Sequence, residues 1–364
     1  MAAIPLNLFQ VVGLFIFFIA AYVWFSPLEF FPSLKDSTAS VHLYQMGDWG
    51  SSEDSAIKDP QDFVSALRKI YRPESSLNQG NFTDFDGNTH HLIDRPLWNT
   101  PLGKDICIVD FDNRPLDGPN ELFSSSRFQW QKSDDGSLSN GILNHYLYSM
   151  IHGYSYHFVR TPEFPDRFAS WAKPGVIAEH LSKCRFVIFV DSDVVFRHLS
   201  LPMEWLLNRW NITASTAIAA PLDPNTLDSQ DVPLSRDSHG RTNHNTGFMI
   251  VQQGTRASTI MRSWATCTDN KVAFDGCAEW ANKWPFDQGA FNEYIRYAFD
   301  KPDDIVGLPC AEANGYPDST TQCEGTFIRH FWRKRYLLKH GVEDSIVQVI
   351  AQMALSNLRT SGYA

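Results

Sequence analysis

Several things are scarce or missing in this chain of 364 residues, and each absence narrows what it can do. Basic residues are not in excess: 31 Lys and Arg stand against 41 Asp and Glu, a formal net charge of −10. Such a balance offers no general basic face for nucleic-acid phosphates, so no nucleic-acid partner is expected. An anionic substrate stays open where a metal ion neutralises it locally. No C-x-x-C occurs among the six cysteines, which speaks against a zinc site. No Lys or Arg precedes Lys35, so the positive-inside rule assigns no orientation to the apolar N-terminus. No internal repeat or low-complexity tract is visible. With 43% hydrophobic and 20% charged residues the chain is globular rather than disordered, and long enough for one large domain or two smaller ones.

What is abundant is aromatic: 11 Trp and 26 Phe. They can fill a core, and they also suit clefts in which a ring lies on the apolar face of a pyranose. The run from Leu8 to Phe25 is near the lower limit for a membrane span. A cleavable signal peptide fits less well, because Tyr22, Trp24 and Phe25 occupy its end in place of a small-residue cleavage site. The expectation is an uncleaved anchor over residues 1–31, followed by a stem or entry region over 32–103. Asn81-Phe82-Thr83 and Asn211-Ile212-Thr213 are N-glycosylation sequons. Cys267/Cys277 and Cys310/Cys323, close pairs in polar sequence, read as disulfides; Cys107 and Cys184 lie in or beside apolar runs and read as small core residues.

The ordered core begins near Lys104. Ile106 to Val109 is a buried-strand run that ends in Asp110-Phe111-Asp112. Residues 140–153 have helical spacing and stop at Gly153. A strand over 154–159 completes a strand–helix–strand unit of the kind that builds parallel sheets. A helix broken near Lys173-Pro174-Gly175 leads into Arg185–Phe196, RFVIFVDSDVVF. That apolar, β-branched run reads as a strand buried on both faces. Asp191 and Asp193 at its end are either a polar turn or a metal site, since two buried carboxylates are costly unless paired and hard cations take carboxylate oxygens. Further strands are expected over 216–220, 246–251, 305–308 and 327–331, with helices over 60–71 (Asp62 as its cap), 201–210, 255–266 and 342–358. Residues 222–243 form a long polar loop, the kind that is functional or disordered in a compact domain.

Asn144–Tyr154, Trp171-x-Lys173, VIFVDSDVVF, Asn245-Thr246-Gly247-Phe248, Trp284-x-x-Asp287-Gln288 and His330-Phe331 occur in this order. The set resembles the nucleotide-sugar glycosyltransferases of GT-A fold, and within them the fungal Golgi α-galactosyl/mannosyltransferases and plant xyloglucan xylosyltransferases. The resemblance covers about Lys104 to Trp332. It implies an α/β, Rossmann-like, mostly parallel central sheet flanked by helices, with 104–341 as the catalytic domain, 342–364 as a C-terminal helix, and an N-terminal transmembrane helix. It also implies a single-pass type II protein of the Golgi or ER membrane, with a luminal catalytic domain that takes a UDP- or GDP-sugar and a glycan acceptor.

The resemblance and the chemistry together assign roles. Departure of a diphosphate is eased by a bound cation, and oxygen-rich ligands favour Mn²⁺ or Mg²⁺ over zinc. Asp193 is expected as a direct ligand. Asp191 would bind the metal through water or hold the ribose or sugar. His330 is either the other protein ligand, as the family's terminal His-Phe implies, or a satisfied strand-end histidine. Asp110 and the loop to Arg114 are expected near the nucleotide base, with a solvated turn as the alternative, and Lys173 near a phosphate or simply at the surface. Gly247 permits close approach of a ligand, while Asn245 contacts sugar hydroxyls or forms a plain turn. Asp287 and Gln288 bind donor or acceptor hydroxyls, or Asp287 only caps a helix. The resemblance implies retention, the leaving phosphate helping to deprotonate the acceptor; in an inverting reaction Asp287 is the candidate general base. Two rivals remain: a phosphohydrolase of haloacid-dehalogenase type, in which the first Asp of the pair is a nucleophile, and a non-catalytic carbohydrate-binding protein.

Overall fold

In a computed structural model the described residues are 42–44, 59–72, 77, 79–225, 235–317 and 321–361. The expected anchor, parts of the stem and the middle of the 222–243 loop lie outside them. Among the described residues no helix is long and apolar enough to cross a membrane. Ser40–Ala364 forms one compact unit.

The centre is a seven-stranded sheet. Its strands are β1 (His42–Tyr44), β4 (Ile106–Asp112), β5 (Ser155–Arg160), β6 (Phe186–Val190), β8 (Ile218–Pro221), β9 (Phe248–Gln252) and β10 (Ile305–Leu308). Their order is β1-β5-β4-β6-β9-β8-β10. Strands β5, β4, β6, β8 and β10 share a direction, while β1 and β9 run against their neighbours. The observed sheet is therefore mixed α/β and mostly parallel. Two small antiparallel pairs stand outside it. One joins β2 (Asn81–Thr83) to β3 (Thr89–His91); the other joins β7 (Val194–Phe196) to β11 (Ile328–His330).

The central strands are apolar along their whole length because both faces are covered. Period-2 alternation then divides the core. Ile106, Ile108, Phe186 and Ile188 face the layer of α1 (Pro60–Tyr71), α2 (Leu138–His152) and α4 (Met203–Arg209). Val109, Val187 and Phe189 face the layer of α3 (Lys173–His180) and α5 (Thr255–Ala265). Trp98, from the entry region, is part of the first layer, and its indole N–H donates to Ile212 O at 2.6 Å. The chain closes with α7 (Leu338–Thr360), four residues earlier than the sequence suggests; between α5 and α7 lies the short α6 (Asp287–Ala290), which continues through a π turn.

Local signals explain the helix ends. The side chain of Asp59, not Asp62, caps α1 by accepting from Gln61 N at 2.8 Å; Asp62 sits in the first turn, where it complements the dipole. Gly153 ends α2 in the left-handed conformation.

The pairs Cys267–Cys277 and Cys310–Cys323 are disulfides, as expected. The reading of Cys107 and Cys184 as separate core residues is corrected: they are bonded to each other across 77 residues. Apolar surroundings hid the bond, because β4 and the start of β6 are neighbours only in the folded sheet.

Candidate active site

The Asp191–Asp193 turn forms where β6 stops and β7 leaves the sheet. Asp191 N donates to Gly247 O at 2.7 Å, and Val194 N to Asp191 O at 2.9 Å, which closes a tight turn with both carboxylates at the sheet's carboxyl edge. The β7–β11 register sets His330 opposite Val194 and beside Asp193. His330 Nε2 lies 3.2 Å from Asp193 Oδ1, and Asp191, Asp193 and His330 offer ligand atoms within 4.8 Å of one another. Cys107, His157 and Cys184 also cluster, but the two sulfurs are joined as a disulfide and offer no thiolate.

Two glycines make the turn possible. A Cβ on Gly247 would overlap His330 Cε1, and a Cβ on Gly141 of α2 would overlap Ser192 O. Helix and strand thus close on the turn from two sides.

The residues present fit a divalent cation. Buried His330 Nδ1 has no partner among the described residues, which leave the ring without a second hydrogen bond. The other cation in reach of Asp193 is Arg335, whose Nε sits 3.3 Å from Oδ2 on a side chain 56% exposed. Such a contact is easily exchanged for a metal bond. Burial alone would raise the Asp193 carboxyl, but the charge and hydrogen bond of His330, with Arg335, hold it at about 2. Asp191 goes the other way: burial and then the Asp193 charge raise it, against Lys173.

Lys173 is a centre of the site, not a surface residue. Its Nζ is buried, 3.3 Å from Asp191 Oδ1 and 3.5 Å from Asp287 Oδ2, and donates to Thr246 O at 3.0 Å. Burial would lower the ammonium, but Asp191 and Asp287 outweigh it and raise it. Asp287 is held by this pair and by Thr246 Oγ1 at 3.3 Å. Its side chain is engaged across the site, so capping is not its main task. Gln288 Oε1 accepts from Thr246 N at 3.0 Å, and Asn245 Oδ1 accepts from Gly247 N at 2.8 Å.

The turn opens into a first cleft of about 380 Å³, lined by Asp112, Arg114, Phe168, Asp191, Asp193 and Arg335 among others. Asp110 is not brought to it. That side chain is fully buried, with His145 Nδ1 2.8 Å from Oδ1 and Tyr156 O–H donating to Oδ2 at 2.8 Å. His145 Nε2 in turn contacts Val194 O at 2.8 Å, so Asp110 steadies the turn from behind. Asp112, two residues on, reaches the cleft and pairs with Arg114 at 2.6 Å.

A second cleft of about 330 Å³ lies beyond Asn245 and Gln288, lined also by Asp223, Arg236, Trp280, Trp284, Trp332 and Arg333. Asp223 accepts from Asn245 Nδ2 at 2.9 Å and Gln288 Nε2 at 3.2 Å, and burial raises its carboxyl despite these bonds. Sequence reasoning missed Asp223 and Arg335 as site residues, while Asp112 and Arg114 belong to the loop expected near the base. The first sits in a long polar loop with no spacing signal; Arg335 had only its position just past the last strand.

No protein-family model matches the chain, and no curated protein matches it. The solved structures that are similar in part include these two. One is a glycosyltransferase involved in the glycosylation of the major capsid of PBCV-1, with TM-score 0.44, 15% identity, and coverage of 65% of this chain and 98% of that one. The other is mouse xyloside xylosyltransferase 1 in apo form, with TM-score 0.33, 14% identity, and coverage of 62% and 96%. At these scores and identities neither likeness bears on substrate or mechanism.

Proposed function

We propose that this chain is a metal-dependent glycosyltransferase of GT-A fold, which moves a hexose or pentose from a UDP- or GDP-sugar to a hydroxyl of a glycan or glycoconjugate. The observation that supports it is the meeting of Asp191, Asp193 and His330 beside a charged cleft, with a contact path through Gly247 and Asn245 to a second, aromatic cleft.

Charge balance in the first cleft favours a diphosphate. Asp112, Asp191 and Asp193 face Arg114 and Arg335, a small negative excess that a divalent ion would turn into a small positive one. Asp193 and His330 would hold Mn²⁺ or Mg²⁺, with Asp191 at its side; the ion would supply Lewis-acid stabilisation of the departing diphosphate. Arg335, released from Asp193, is placed to meet phosphate oxygens. Lys173 holds Asp191 and Asp287 at fixed spacing, and Asn245, Asp287 and Gln288 are positioned for sugar hydroxyls.

In the transfer the bond from the anomeric carbon to the diphosphate oxygen breaks and its electron pair leaves with the phosphate. The acceptor oxygen bonds that carbon, and the hydroxyl proton goes to the departing phosphate, with retention. Asp287 is a poor general base here, because the Lys173 ammonium and Thr246 already occupy it. Three disulfides and exposed Asn81 and Asn211 suit a luminal compartment behind an N-terminal anchor in the Golgi or ER membrane.

The test is turnover of a panel of UDP- and GDP-sugars by the purified full chain, with Mn²⁺ and with EDTA. Metal-dependent release of UDP or GDP, lost in Asp193→Ala, is expected. Hydrolysis of phosphate monoesters with no nucleotide-sugar turnover would sink the reading.

A further inference from the structure

The second cleft has features that the donor does not use. Its walls carry three tryptophans of unlike exposure. Trp280 is buried and fixed in a short helix that begins at Cys277, the end of the Cys267–Cys277 disulfide loop. Trp284 is 71% exposed at the mouth. Trp332 points a buried indole N–H that has no partner among the described residues. An apolar ring left in water beside an unused donor is costly to keep unless a ligand covers the one and accepts from the other. The cleft's charged groups cancel: Asp223 and Glu293 against Arg236 and Arg333. Glu293 is moreover taken up by Ser238 Oγ at 2.5 Å, and Arg236 by Gly240 O at 2.7 Å. Asp223 stands at the inner end. Asn245, Gln288 and Asn314 bind it, the last at 3.4 Å to Oδ1, and Oδ2 keeps acceptor capacity beyond its one bond from Gln288.

From this we infer that the second cleft is the acceptor subsite, and that it takes a neutral pyranose. The sugar face lies on Trp284, a ring or hydroxyl oxygen accepts from Trp332 Nε1, and the hydroxyl to be glycosylated donates to Asp223 Oδ2. Asp223 is a positioning group: it aims the hydroxyl oxygen past Asn245 and Gln288, which accept from Gly247 N and Thr246 N on the way to the acidic turn. An anionic sugar such as a uronate has no free cationic surplus here to meet it. The inference rests on the transferase reading for its direction of attack, but the binding it describes can be measured alone.

The experiment uses the full chain and simple probes: methyl α-glucoside, α-mannoside and α-galactoside as neutral sugars, and methyl α-glucuronide as an anionic one. Binding is followed by tryptophan fluorescence, and transfer by radiolabelled donor. At least one neutral glycoside is expected to shift the fluorescence and accept sugar, with the glucuronide weaker. Trp284→Ala should weaken the binding read by fluorescence and raise the acceptor KM, each about tenfold, the size of one stacked ring contact. Asp223→Asn should lower kcat more than it raises KM, a split that loss of a merely structural contact would not give. In both variants the thermal shift given by UDP with Mn²⁺ should match that of the unaltered chain, which also reports folding. An unchanged acceptor KM in Trp284→Ala, or preference for the glucuronide, overturns the inference and leaves the transferase reading standing. Neutral-glycoside binding that is weakened in Trp284→Ala, in a protein that turns over no nucleotide sugar, overturns the transferase reading and the cleft's role as acceptor subsite together, and keeps only the neutral sugar site.

Discussion

The two clefts lie side by side and are built from opposite materials. The first is floored by carboxylates: Asp193 and Asp191 share one tight turn, and Arg335 leans over from an exposed stem. The second is walled by indoles, and its charges cancel within it. Coulombic binding is sensitive to salt, metal and small displacements, while stacking is sensitive chiefly to area. One fold therefore presents an electrostatic site and a shape site joined by Asn245, Gln288 and Asp223, and the two should fail in different ways.

The sharpest way to break this contrast is Asp193→Ala. It removes a ligand from the first cleft and should lower Mn²⁺-supported kcat/KM by about a thousandfold, against about tenfold for any single tryptophan of the second. A loss in Asp193→Ala no larger than that in Trp284→Ala would erase the distinction. Gly247→Ala comes next. Its methyl group would push the His330 ring off its position, and the affinity for Mn²⁺ should drop about 10- to 100-fold, read by metal titration of thermal stability, with glycoside binding retained.

Lys173→Met tests the seam between the clefts. It leaves Asp191 and Asp287 with no buried cation, so about 3–5 kcal/mol of stability should be lost, measured by urea unfolding. The gentlest probe is pH. His152, His198 and His244, each lowered by burial from 6.5 to about 3, stay neutral in the fold. The unfolded chain binds more protons between those values, so stability should be complete above pH 6.5 and decline as pH falls toward 3. Thermal midpoints measured without metal, which set Asp193 aside as a ligand, should show this decline.

Much of the first cleft could be read from the sequence and little of the second. A buried strand ending in two acids draws notice, since buried carboxylates are costly unless paired. His330 and Asn245-Thr246-Gly247 lie at strand ends, where periodicity places them. Lys173 was undecided because a lysine's burial depends on partners 18 and 114 residues away, Asp191 and Asp287, that only the fold assembles. Asp110 and Asp112 were confused for a geometric reason. They share a strand face, and which one reaches the cleft depends on how far β4 pairs with β5, here to Asp112 opposite Arg160. Asp223 and the Trp280 wall arise from a polar loop and a disulfide loop, segments whose position is set by tertiary contacts alone. Cys107–Cys184 shows the same limit, as a bond between two residues that each look like ordinary core.

Gly141 and Gly247 have a consequence for how this protein can change. They press on the acidic turn from a helix and from a strand, and neither site has room for even one methyl group. In a saturation-mutagenesis screen for transfer activity, both positions should therefore be as intolerant as Asp193 itself, although neither carries a functional group. Trp284, at the second cleft's mouth, should accept replacements freely so long as a ring survives. Diversification of this fold would proceed at that exposed indole, around a pair of immovable blanks.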